Sequence, residues 1–366
     1  MKSDRRMPKR ILSLDGGGTR GVISLAFLER LEKCLERRHG RPVPFHEHFD
    51  LIGGTSTGAI IATALALGKS LKEIKSFYFD LGPNVFRPVW HRGKFLRALF
   101  NSHHLRREFQ GIVGDRRLDS PDLKTGLAIF AKRVDTGSVW FLSNNDRAKY
   151  WDDREDKEYK GNRRYELVEI LLASTAAPTY FDPLYFEVNE GKVPGLFIDG
   201  GVSPYNNPSL ALFMMATIPA YRYGWPVGED NLDITSIGTG FFRYRMKRGW
   251  FSPRIAGYFG ARCLESTLSD SAVHTLTLMQ ALGRNETPWL INSEIGDLSD
   301  TLIAGSPLFN FRRYDLVLEK DWLLSNKLAK SVTEAQLEAW RDLTAVDRMK
   351  EIYDLATAAA EKQIPF

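Results

Sequence analysis

Two glycine-rich turns constrain this chain more than anything else in it, because each joins a strand-length apolar run to an apolar run of helical period. The first, Asp15-Gly16-Gly17-Gly18-Thr19-Arg20-Gly21, follows Arg10-Ile11-Leu12-Ser13-Leu14. It precedes Val22, Leu25, Leu28, Leu31 and Leu35, which recur at helical spacing up to Gly40. The second, Gly54-Thr55-Ser56-Thr57-Gly58, follows Phe49-Asp50-Leu51-Ile52-Gly53 and opens a helix expected over 57–67. Another helix is expected over 71–81, stopped by Gly82-Pro83. Strand, helix, strand, helix in succession predicts an α/β fold, a parallel sheet with helices on its faces.

Further along, 127–134 and 138–142 read as strands around an Asp135-Thr136-Gly137 turn, and 166–174 as a helix broken by Pro178 and Pro183. Gly195-Leu196-Phe197-Ile198 is a short strand delivering Asp199-Gly200-Gly201, and Asp233-Ile234-Thr235-Ser236-Ile237 another, ended by Gly238-Thr239-Gly240. Helices are expected over 264–282 and along a tail at 332–362. The nearly all-polar stretch 146–164 is expected to be a mobile surface loop. No Pro/Ser-rich linker or repeat divides the chain. The expected organisation is a basic N-terminal segment (1–9), one domain over 10–315 with 84–120 and 146–164 as insertions, and a helical tail (316–366) packed on the same domain.

At 366 residues with 43% hydrophobic content, the chain has enough apolar material for a large core, which excludes wholesale disorder. Its two cysteines, Cys34 and Cys263, cannot build a disulfide framework or metal cluster, and this suits a reducing cytoplasm. No apolar run approaches the roughly 20 residues that span a bilayer, and the start lacks a signal-peptide core. Net charge is only +5, but basic residues cluster at Arg5, Arg6, Lys9 and Arg10, at Arg37, Arg38 and Arg41, at Arg106, Arg107, Arg116 and Arg117, and at Arg243, Arg245, Lys247 and Arg248. Such clusters suit solvated surface, anionic lipid headgroups or a nucleotide ligand.

The chemistry is that of an acyl transfer. A Gly-x-Ser-x-Gly between strand and helix holds its serine on a sharp turn with Oγ exposed, beside a helix N-terminus that favours negative charge. The bare N–H groups of Gly16, Gly17 and Gly18 suit a tetrahedral oxyanion. A serine needs a base, and two candidates follow Ser56: Asp199, at a strand end and exposed by two glycines, and His274. The order Ser, Asp, His is that of an α/β-hydrolase triad, yet His274 lies mid-helix where triad histidines do not usually sit. Asp-Gly-Gly-Gly-Thr also cradles ATP in sugar kinases, but there the loop continues into a strand, whereas here it enters a helix. Gly16-x-Gly18-x-x-Gly21 formally matches a dinucleotide fingerprint, but no acidic residue ends the next strand at the required distance. His46, His48, His103 and His104 lack partners at ligand spacing, so no metal is expected.

Taken together and in this order, Asp15 to Gly21, Gly54 to Gly58 and Asp199-Gly200-Gly201 resemble the patatin-like phospholipase family, supported by Ala176-Ala177-Pro178-Thr179-Tyr180-Phe181-Asp182-Pro183 and Ser236-Ile237-Gly238-Thr239-Gly240. The resemblance covers about residues 9 to 315. It implies a three-layer α/β/α fold with a mostly parallel central sheet. It also implies a Ser–Asp dyad of Ser56 and Asp199 without histidine, an oxyanion loop of Gly16, Gly17 and Gly18, and hydrolysis of phospholipid acyl esters through an acyl-enzyme with no cofactor. Asp15, Arg20, Gly21, Gly54, Gly58, Gly200 and Gly201 would support these motifs. The implied partner is a phospholipid membrane surface touched peripherally, on the inner side if the protein is cytoplasmic. Some bacterial members are defence effectors switched on by cyclic nucleotides, and this composition permits that role and a homo-oligomer, while DNA or RNA binding is not expected. Phe77, Tyr78, Phe79 and the aromatics between Phe86 and Phe100, set among Arg87, Arg92, Lys94 and Arg97, either cover an acyl-chain channel at the membrane or pack in the core. A thioesterase or acyltransferase with the same dyad, and a silent lipid- or nucleotide-binding relative, are the competing readings.

Overall fold

In the computed structural model of the protein, the described residues are 7–85, 102–154, 159–178, 180–189, 194–244 and 256–366. Their strands are β1 (Lys9–Leu14), β2 (Leu51–Thr55), β3 (Gly126–Arg133), β4 (Val139–Ser143), β5 (Leu184–Phe186), β6 (Gly195–Asp199), β7 (Leu232–Ile237), β8 (Arg284–Asn285) and β9 (Asn310–Tyr314). The helices are α1 (Gly21–His39), α2 (Phe45–His48), α3 (Thr57–Ala66), α4 (Leu71–Val85), α5 (Ser102–Val113), α6 (Leu167–Thr175), α7 (Ser209–Thr217), α8 (Ala256–Leu282), α9 (Lys320–Ser325), α10 (Glu334–Arg341) and α11 (Met349–Gln363).

One sheet takes the order β5-β6-β3-β2-β1-β7-β9-β8, with β4 also paired to β3. The pairs from β3 through β2, β1, β7 and β9 to β8 are parallel, while β4, β5 and β6 add antiparallel pairs at the other side. The sheet is therefore mixed and mostly parallel, and burial on both faces explains why its strands read as continuous apolar runs. Side chains alternate between two cores. Leu12, Leu14, Ile52 and Ile129 join the core built with α1, α3, α6 and α11, while Ile11, Leu51, Ala128 and Phe130 join the one built with α7 and α8. Helices thus cover both faces, giving three layers.

Several local expectations shift. β2 begins at Leu51 rather than Phe49, because the Asp50 carboxylate accepts from the Arg10 N–H and the Lys9 ammonium before the ladder starts. α4 does not stop at Gly82-Pro83 but continues to Val85. A proline in the last turn removes one helical hydrogen bond. There the helix also packs on the C-terminal region, where a Cβ at Gly82 would sit 2.7 Å from Met349 Sδ. Within 146–164, the described residues are not all surface: Trp151 is buried, and residues 162–164 form a short 3-10 turn. The tail helix α11 lies along α1, where Arg30 Nε donates to the Ile364 carbonyl at 2.7 Å. The aromatics from Phe86 to Phe100, and Arg245, Lys247 and Arg248, lie outside the described residues. Among the described residues no helix is long and apolar enough to cross a membrane.

Candidate active site

Strand register brings Ser56 to Asp199. β3 carries β4 along one edge. On the other edge it carries two strands in line: β2 opposite residues 126–130 and β6, running the opposite way, opposite 131–133. Thr55 pairs with Phe130 and Asp199 with Ala131, so the ends of β2 and β6 meet head to head. The residue after Thr55 is Ser56, and its Oγ donates to Asp199 Oδ2 at 2.6 Å.

Ser56 sits at φ 53, ψ −122, a strained conformation for a residue with a side chain, at the N-cap of α3. The flanking glycines answer a different need. A Cβ at Gly54 would lie 2.2 Å from the Gly58 backbone, and one at Gly58 would lie 2.2 Å from the Leu14 carbonyl oxygen. The strain therefore sits on the serine, while the glycines clear space for β1 and α3 to close around it. The Ser56 N–H donates to Ser174 Oγ at 2.9 Å, and that hydroxyl donates to the Phe130 carbonyl at 2.7 Å. Ser174, on α6, is a site residue the sequence reading missed; a hydroxyl inside an otherwise apolar helix was its only signal.

Asp199 is buried, and Oδ1 accepts from the Gly201 N–H at 2.6 Å. Burial pushes its carboxyl up to about 6, against the pull of its bonds to Ser56 and Gly201. Gly200 must lack a side chain because a Cβ there would lie 2.4 Å from the Phe130 carbonyl. His274, the rival base, is exposed midway along α8, while the hydroxyl of Ser56 is already bonded to Asp199.

The glycine loop lies against the serine: a Cβ on Gly16 would be 3.2 Å from Ser56 Cβ. The three glycines are not equivalent. The Gly16 N–H donates to the Asn206 carbonyl at 3.0 Å, and the Gly16 carbonyl accepts from Thr239 Oγ1 at 2.6 Å. Gly16 is therefore an anchor, correcting the expectation that all three N–H groups face an oxyanion. Those of Gly17 and Gly18 have no acceptor among the described residues. Gly18, at φ +58, has its carbonyl bonded by the Tyr78 hydroxyl, which also bonds Thr57 Oγ1. Tyr78 is thus buried support for the loop rather than membrane surface. The tail reaches the same place: the Thr19 N–H donates to the Leu343 carbonyl at 2.9 Å.

The loop begins at a buried ion cluster. Arg313, on β9, donates to both oxygens of Asp15 (3.0 and 2.6 Å), to Asp315 Oδ2 at 2.7 Å and to Ser236 Oγ at 2.8 Å. Burial disfavours its charge, yet the two carboxylates hold it above the ordinary arginine range. Arg313 was also missed; a charge pair following Phe311 in a strand was a faint clue. Arg20 is buried with its guanidinium 5.4 Å from the centre of the Phe242 ring, its Nε has no partner among the described residues, and burial lowers it to about 10. Gly21 leaves room for Tyr78 and Thr57, whose hydroxyls lie 2.4 and 2.6 Å from where its Cβ would stand. Among the described residues, no group of three or more His, Cys, Asp or Glu is arranged to hold a metal ion.

The chain is similar to known proteins. The patatin-like phospholipase family model matches residues 12–213. A cGAMP-activated phospholipase of Escherichia coli (strain TW11681) is 30% identical over 289 residues, covering 76% of this chain and 77% of that protein. A cGAMP-activated phospholipase of Vibrio cholerae serotype O1 is 32% identical over 211 residues, covering 55% of each. Among solved structures, human GIVD cytosolic phospholipase A2 aligns over the whole chain and 60% of its own, with a TM-score of 0.46 and 10% identity.

Proposed function

The chain belongs to the patatin-like phospholipase family, a family of carboxylic ester hydrolases, and from that premise we propose that it is a serine lipid acyl hydrolase of phospholipase A type working through Ser56 and Asp199. The observation that carries the reading is the 2.6 Å bond from Ser56 Oγ to the buried carboxylate of Asp199, which faces no cation among the described residues, beside two glycine N–H groups with no acceptor among those residues.

The proposed steps are these. Asp199 takes the Ser56 proton as Oγ attacks the ester carbonyl. The N–H groups of Gly17 and Gly18 donate to the developing oxyanion, supported by the N-terminus of α3. Protonated Asp199 then gives its proton to the departing lysophospholipid oxygen, leaving an acyl group on Ser56. Water, deprotonated by Asp199, attacks that acyl-enzyme, and the proton returns to Ser56 as the fatty acid leaves. A carboxyl pushed up to about 6 is a better base and a better acid near neutral pH than one at its ordinary value.

The substrate is drawn from a membrane surface, approached peripherally. Both bacterial relatives are described as cGAMP-activated, and we extend that regulation to this chain: a cyclic nucleotide raises its activity.

Fatty-acid release from mixed phospholipid vesicles tests the whole reading, with and without cyclic GMP–AMP. Ser56→Ala and Asp199→Asn should abolish release and His274→Ala should retain it. Loss of release in a folded His274→Ala variant would restore the triad. A wild type inactive under every condition would leave a binding protein.

A further inference from the structure

A cavity lies away from Ser56, and what it is proposed to do rests on the activator reading above. The cavity, of about 590 Å³, is bounded by residues 146–149 and 152–154, Tyr159 and Arg222. It opens beyond the end of β4, which runs antiparallel to β3, so it faces the opposite end of the sheet from the serine. Two of its carboxylates are already engaged: Asp152 with Arg163 at 3.0 Å and Asp153 with Arg164 at 3.2 Å. Arg147, Lys149 and Arg222 bring positive charge to the same cavity as Asp146. Arg222 is held at φ 61, a conformation a side-chain-bearing residue adopts at a cost.

This wall has a continuous path to the catalytic centre. Asn145 Nδ2 ties the loop to the Tyr221 carbonyl at 2.9 Å. The Tyr221 ring stacks on Phe141 (5.8 Å between centroids), and Phe141 meets Tyr205 edge-on at 5.0 Å. The Tyr205 carbonyl accepts from Thr55 Oγ1 at 2.6 Å, one residue before the nucleophile. The next carbonyl, that of Asn206, accepts from the Gly16 N–H. Packed rings and hydrogen bonds thereby connect the turn at Arg222 to both the serine turn and the glycine loop.

We propose that this cavity is the activator site and takes a cyclic purine dinucleotide. Arg147, Lys149 and Arg222 receive its phosphates. The Tyr159 ring stacks a base, and Asp146 accepts from the N–H groups on the Watson–Crick edge of guanine.

Calorimetric titration of the full chain with cyclic GMP–AMP, run beside vesicle hydrolysis, tests this. The Arg147→Ala/Arg222→Ala pair should weaken binding by about a hundredfold, since each charge-assisted contact is worth about tenfold or more. The half-activating concentration should move with it, while the nucleotide-free rate and Tm stay unchanged. Tyr221→Leu should keep the affinity and lower the maximal stimulation; full stimulation would overturn the ring path. If wild type binds and responds while the double variant binds as tightly, the site is wrong and the activator reading stands. If wild type neither binds nor responds, both fall. A linear dinucleotide or inorganic phosphate binding as well as the cyclic one would reduce the cavity to a general anion site and overturn the proposal.

Discussion

Asp15 and Asp199 are both buried carboxylates at the ends of strands, yet their surroundings differ in one respect. Asp15 meets the fork of Arg313, a cation that shares its burial. Among the described residues, Asp199 meets a hydroxyl and an N–H but no cation. Burial pushes both carboxyls up to about 6, but at Asp15 the Arg313 guanidinium pulls the other way, because neutralising that carboxylate strands the cation. A carboxylate facing only dipoles can take up a proton and give it back. The first arrangement fixes a loop, and the second can perform chemistry.

The sharpest test separates the two by what each substitution destroys. Asp199→Asn should lower fatty-acid release by about a thousandfold or more, in the range expected for losing a general base, with the fold intact. It should also stabilise the protein at neutral pH. Raising the carboxyl from its ordinary 3.8 to about 6 means the native state binds the proton more tightly than the unfolded chain. Stability from this group is full below about pH 4 and lost as pH rises through about 6, a cost of about 3 kcal/mol when ionised. The variant should therefore melt higher than wild type at pH 7 to 8, and the gap should close towards pH 4. A lower melting point at pH 7 would contradict the desolvated state assigned to Asp199.

Arg313→Met should do the reverse. Leaving Asp15 and Asp315 buried without their cation should cost about 3–5 kcal/mol, read as a fall in denaturation midpoint, with activity declining because the oxyanion loop loses its base. Unchanged stability with lost activity would move Arg313 into the chemistry.

The pH profile comes next. The rate should rise with pH through a single ionisation near 6, the value to which burial pushes Asp199, and lie flat above it. A smaller change is expected from Ser174→Ala, which leaves the Ser56 N–H and the Phe130 carbonyl without their shared hydroxyl. That should cost about 1–3 kcal/mol of stability, with a modest loss of rate as the serine turn relaxes. A Ser174→Ala variant as stable as wild type would argue that water replaces the hydroxyl.

Much of this was legible in the chain because it is local. β1 and α1 about the first glycine loop, and β2 and α3 about the serine, follow from apolar periodicity and glycine placement. The strained Ser56 dihedral follows from the strand–turn–helix frame, and Asp199 was visible because a strand ends there and two glycines follow. The roles of Ser174, Asn206, Tyr78 and Arg313 were not legible, because each acts on a residue far from it in sequence. The expectation for Gly16 failed for the same reason, since its N–H acceptor lies on the segment before α7.

By itself the sequence determined the two strand–turn–helix units, the candidate nucleophile and the residue types able to serve it, since backbone conformation and local pattern are set within a few residues. Only the tertiary structure decided which base the serine meets, which glycine N–H groups stay unengaged and which carboxylate carries a counter-ion. Those depend on β2 and β6 meeting head to head along β3 and on β9 bringing Arg313 beneath the loop. Burial of a charge is a property of everything packed around it, and no local run of residues contains that information.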